Sequence, residues 1–94
     1  MSQKGSSSIL TIGVEQLRAG RALLGWSQTR LAEMAGLSLP TVKRVETATG
    51  PKVSEDARYA LQRALELAGV EFINENGGGP GVRLRKRQRP KKTK

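Results

Sequence analysis

The stretch SQTRLAEMAGLSLPTVKRVE, residues 27–46, decides the fold. Apolar residues recur in it at helical spacing on both sides of a single glycine. Leu31, Met34 and Ala35 make one inner stripe, and Val42 and Val45 make a second. Gly36 stands between them, where a first helix must stop and the chain must turn. A left-handed backbone conformation at that point is cheap only for glycine. Ala32 is small where a second helix has to cross closely. Ser38 is placed to cap the second helix, and Leu37 before it can pack onto Val42. The same device opens the first helix, with Ser27 as cap and Trp26 reaching Leu31. Two short helices joined in this way make a helix-turn-helix, a motif whose second helix enters the DNA major groove.

The outer face of the second helix, expected from Leu39 to Glu46 or Thr47, carries Leu39, Pro40, Thr41, Lys43 and Arg44. Arg44 is the strongest candidate for direct base contact, because a guanidinium bonds guanine O6 and N7 together. Thr41 offers a hydroxyl and a methyl, suited to a base edge or a thymine methyl. Leu39 and Pro40 make only apolar contacts, favouring thymine methyls or excluding other bases. Pro40 lacks a backbone donor, which is harmless in a first turn. Gln28, Ser38, Lys43 and Lys52 are the candidate phosphate ligands, Gln28 because helix N-terminal N–H groups favour an anion beside it. For Lys43 and Arg44 the competing reading is ordinary surface charge, or for Arg44 an ion pair with a nearby acid. Glu46 is expected in such a pair, since a bare carboxylate there would repel a duplex.

Outward from this stretch, a helix is expected from Gly13 or Val14 to Leu24, stopped by Gly25. Val14, Leu17 and Leu24 line its inner side. Arg18 and Arg21 are expected to point outward, to phosphates or to solvent. Trp26 is read as a core or staple residue in preference to a base-stacking one. On the other side, Thr47–Val53 reads as a loop broken by Gly50-Pro51. Ser54 caps a further helix with Glu55 and Asp56 in its first turn. Ala57, Ala60, Leu61, Ala64, Leu65 and Ala68 recur at helical spacing, and Gly69 closes it. Val70–Ile73 and Val82–Arg85 read as strands of a hairpin across a turn-rich loop. Two isolated strands are marginal in water, so the hairpin must pack on the helices or pair with a second chain. It is therefore the candidate dimerisation element. The GGGPG run at 77–81 precedes no helix and lacks a following Lys-Ser/Thr, which argues against a nucleotide-binding loop.

The 94-residue chain suits one small domain. Its net charge is +9, but residues 83–94 hold eight basic groups and no acid, leaving nine bases against eight acids elsewhere, a net of +1. The basic run is a general polyanion binder, with Lys86, Arg87, Arg89, Lys91 and Lys92 as its contacts, or else a solubilising tail. The absence of cysteine and histidine argues against a disulfide framework, a zinc site and histidine acid–base chemistry. No metal, cofactor or small-molecule ligand is expected. Paired carboxylates and nucleophile–base pairs are not visible, so an enzyme is not expected. No apolar run is long enough to span a membrane and no secretory segment is evident, so a cytoplasmic, nucleoid-associated protein is expected. The expected layout is a mostly disordered arm over 1–12, a helix-turn-helix domain over 13–69, a hairpin over 70–85 and a flexible tail over 86–94.

Gln28, Leu31, Ala32, Gly36, Val42, Val45 and Glu46 fall where the phage-repressor/Cro type of helix-turn-helix, the XRE family, places its glutamine, its leucine, its small residue, its turn glycine, its two apolar core residues and its closing glutamate. The flanks, Gln16–Gln28 and Ala68–Leu84, also resemble small bacterial members. The resemblance covers about residues 13–85. It implies a mainly α fold of four to five helices, operator binding as a homodimer on double-stranded DNA, and transcriptional regulation, often repression. Leu39-Pro40 and the basic tail depart from the prototypes, which carry polar base readers. The rival reading is a protein-interaction module, an antitoxin or anti-activator, docking through Leu39 and Pro40.

Overall fold

The structure, a computed structural model, describes residues 12–47, 54–75 and 77–85. Among them run α1 (Val14–Leu24), α2 (Gln28–Ala35), α3 (Leu39–Thr47), α4 (Glu55–Leu67), β1 (Val70–Ile73) and β2 (Gly81–Leu84). The mainly α architecture with a closing hairpin is the one expected.

One three-residue device is used twice to change chain direction. Gly25-Trp26-Ser27 ends α1 and starts α2, and Gly36-Leu37-Ser38 ends α2 and starts α3. Both glycines are left-handed, at φ 71° and 72°. The next residue's N–H then reaches back five residues, Trp26 to the Arg21 carbonyl at 3.1 Å and Leu37 to the Ala32 carbonyl at 2.9 Å. These bonds satisfy carbonyls that a helix end leaves without partners. Trp26 and Leu37 are half-buried against the core. Each serine accepts from the backbone N–H three residues on, Ser27 from Arg30 at 3.0 Å and Ser38 from Thr41 at 3.2 Å. Ser54 caps α4 in the same way through Ala57.

Every helix contributes to one core. Leu17 of α1, Leu31 of α2, Val42 of α3, Leu61 and Leu65 of α4 and Val70 of β1 are completely buried, and Val45, Ala32, Ala57, Ala64 and Phe72 close around them. The small residues of α2 and α4 let those helices approach. Ile12 is also buried, with its carbonyl accepting from Arg58. Met34 departs from the expected inner stripe and is half exposed. Helix α2 is only eight residues long, and Leu31, Ala32 and Ala35 already make its packing stripe.

The strands pair antiparallel from Val70↔Leu84 to Ile73↔Gly81. Of the two ways to stabilise such a ribbon, packing on the chain's own helices is realised, against α1 and α4. Gly20 permits the close approach: a methyl added there would lie 3.2 Å from Val70 Cγ1 and 3.5 Å from Leu65 Cδ1. Gln16, buried on α1, donates through Nε2 to the carbonyls of Ile73 (3.3 Å) and Gly81 (2.9 Å), the two ends of the hairpin loop. Its Oε1 accepts from the Gly13 N–H, a returning cap bond at the helix start. Helix α4 ends at Leu67, and Gly69, at φ 112°, turns the chain into β1.

Candidate nucleic-acid interface

Helix α3 is held from below by Val42 and Val45, which face the core. Glu46, four residues after Val42, belongs to the same inner stripe and is buried to 1% exposure. Its carboxylate accepts three bonds from two other helices. Arg21 Nε reaches Oε2 at 2.8 Å and Arg21 Nη2 reaches Oε1 at 2.9 Å. Gln28 Nε2 reaches Oε1 at 2.9 Å. Arg18 Nη1 donates to the Glu46 backbone carbonyl at 2.6 Å, placing a cation at the C-terminal end of α3. One acid therefore ties α1, α2 and α3 together, and the angle at which α3 is presented is set by charged hydrogen bonds as well as by packing.

This network corrects three expectations. Arg21 turns inward, where it also donates to the Trp26 carbonyl, and Arg18 is bonded to α3 as well. Glu46 pairs with Arg21 in place of Arg44, because residues two apart on a helix point to different sides. The Gln28 amide does not stand free at the surface; one of its hydrogens is spent on Glu46. Trp26 packs half-buried against the core, with the Arg30 guanidinium 5.9 Å from its ring centroid. The inward place of Glu46 had a signal, since residues 42, 45 and 46 share a helical stripe. Gln16 and Gly20 had none, because their partners lie more than forty residues away in α4, β1 and β2.

The outer side of α3 contrasts with the inner side. Lys43 and Arg44 are exposed, and among the described residues neither side chain enters an ion pair. Pro40 is exposed, and Leu39 and Thr41 are half-buried. Ser38 Oγ lies 2.8 Å from Thr41 Oγ1 while accepting from the Thr41 N–H. Thr47 Oγ1 donates to the Lys43 carbonyl at 2.8 Å. Lys52, Lys86, Arg87, Arg89, Lys91 and Lys92 lie outside the described residues.

Two short helices turning at a left-handed glycine, the second with Lys43 and Arg44 outward and its only acid inward, define a helix-turn-helix domain. The helix-turn-helix family model matches residues 17–67, more than half of the 94. The chain belongs to this family, the Cro/C1-type or XRE helix-turn-helix proteins, which are DNA-binding regulators and not an enzyme family. No curated protein sequence matches the chain. No helix among the described residues is long and apolar enough to cross a membrane.

Proposed function

We propose that this chain is a transcriptional repressor that reads a palindromic operator by placing α3 in the DNA major groove. The observation that carries the reading is the sorting of charge on α3. Lys43 and Arg44 face outward, with no ion pair among the described residues, while Glu46 is withdrawn into the core and paired with Arg21. Arg44 then contacts a guanine edge, and Leu39, Pro40 and Thr41 contact neighbouring bases. Lys43, Lys52, Ser38 and the second amide hydrogen of Gln28 contact phosphates. Lys86, Arg87, Arg89, Lys91 and Lys92 add a sequence-independent, salt-sensitive attraction. Such a protein works where DNA is, in the cytoplasm and at the nucleoid of a bacterial cell.

A homodimer would place two copies of α3 about one helical turn apart. The hairpin supports this role, because among the described residues the two-stranded ribbon keeps free edges and Leu84 on β2 is exposed. Sedimentation of the full chain with and without Leu84→Asp tests it, and a wild-type monomer at all concentrations would end it.

Selection of duplexes from a random library on the purified full chain tests the main reading. Arg44→Ala is expected to weaken the selected duplex by about 1–3 kcal/mol and relax one position. Equal loss on a scrambled duplex would make Arg44 a phosphate contact. Failure to retain any duplex at low salt, with a protein partner co-purifying, would favour the antitoxin or anti-activator reading through Leu39 and Pro40.

A further inference from the structure

Apart from Lys43 and Arg44, the outer side of α3 is poor in hydrogen-bonding groups that it could offer to a base. Its outward residues at the N-terminal end are Leu39 and Pro40, with no side-chain donor or acceptor. Its hydroxyls are already engaged within the chain. Thr47 Oγ1 donates to the Lys43 carbonyl, and Thr41 Oγ1 is bonded to Ser38 Oγ. A serine oxygen has two lone pairs and one proton. The Thr41 N–H uses one lone pair of Ser38. When Thr41 Oγ1 donates, the second is used as well, and only the Ser38 proton is left over, suited to a phosphate oxygen. With its proton turned onto the cap, Thr41 has no donor left for thymine O4, and its methyl group is free for the groove.

Resting on the major-groove reading above, we propose that Leu39, Pro40 and Thr41 recognise the C5-methyl groups of pyrimidines and not the hydrogen-bonding edges of bases. In the major groove, thymine presents an O4 acceptor and a C5-methyl, whereas cytosine presents an N4 donor and no methyl. Leu39 and Pro40, without donors or acceptors, leave the O4/N4 difference unread. The methyl alone is then the signal, and 5-methylcytosine carries it in the same place. The operator is therefore a guanine read by Arg44 beside a run of methyl-bearing pyrimidines, and C5 methylation of a cytosine in that run raises affinity.

The experiment uses the full chain and the best duplex from random selection, remade with single thymine-to-uracil, thymine-to-cytosine and thymine-to-5-methylcytosine exchanges. Uracil lacks only the methyl. Affinity is expected to fall about fourfold at each contacted thymine, the effect of one methyl withdrawn from burial. Cytosine should lose as much or more, and 5-methylcytosine should recover most of the loss. Thr41→Ser keeps the hydroxyl pair and the cap bond while deleting the methyl. It should abolish thymine-over-uracil preference at one position; Leu39→Ala should do so at a neighbouring position. Equal binding of thymine and uracil duplexes at every position overturns the proposal while the regulator reading stands. So does a preference that survives both substitutions. Retention of no duplex above scrambled DNA would overturn the regulator reading, and this inference with it.

Discussion

Two arginine–glutamate pairs in this molecule have the same bonding pattern and opposite surroundings. Arg21 and Glu46 join two-pronged through Nε and Nη2 at 2.8 and 2.9 Å. Arg83 and Glu71 join through the same two nitrogens at 3.1 and 3.3 Å, directly across the hairpin. The first pair lies beneath α3, with the glutamate side chain 1% exposed; in the second, the two side chains are 64% and 43% exposed. Water screens and competes with the exposed pair, so it adds little to stability. The buried carboxylate has given up its hydration and depends on Arg21 and Gln28 for replacement bonds. The same chemistry holds α3 in one case and trims a strand register in the other. Desolvation, not geometry, separates them.

The largest effect should come from breaking the first pair. Arg21→Ala strands a buried carboxylate and should cost about 3–5 kcal/mol in urea unfolding. Arg83→Ala, the matched change in the hairpin, should leave the unfolding midpoint nearly where it was. Equal losses would dissolve the contrast. Next comes the seat of the hairpin. Gly20→Val would drive branches into Val70 and Leu65 and should cost about 2 kcal/mol by the same measurement. Gln16→Ala removes the donor shared by the Ile73 and Gly81 carbonyls and should cost about 1–2 kcal/mol. Faster amide exchange in β1 and β2 than in α2 and α3 would localise the damage.

The smallest effect concerns the exposed pair and pH. The Arg83 hydrogen bonds, and then its charge, hold the Glu71 carboxyl below its ordinary value. A carboxyl depressed in the folded state contributes above the ordinary carboxylate range and loses that contribution as pH falls through its lowered value. Thermal midpoints of the wild type and Glu71→Gln should therefore differ slightly at neutral pH and converge in acid. A gap that widens in acid would mean the pair does not act through the ionised carboxylate.

Much of this was legible along the chain. Gly25 and Gly36 with their following apolar and serine residues mark both turns, because left-handed backbone and N-cap chemistry are local demands. Leu17, Leu31, Val42, Val45, Leu61 and Leu65 follow helical spacing into the core. The outward placement of Lys43 and Arg44 follows from the same wheel. Met34 stays outside the core because an eight-residue helix satisfies its packing with fewer residues than its pattern suggests. Arg21 turns inward because its partner, Glu46, lies on another helix, and without that partner in view an arginine looks like surface.

Local sequence determined where this chain turns, which stripe of each helix is apolar, and which residues α3 turns outward, since each depends on neighbours within a few positions. Only the tertiary structure decided that Glu46 joins Arg21 and Gln28, that Gln16 clasps the mouth of the hairpin, and that Gly20 makes room for Val70. Those choices join residues far apart in the chain, and they depend on which groups lose water together when the helices close.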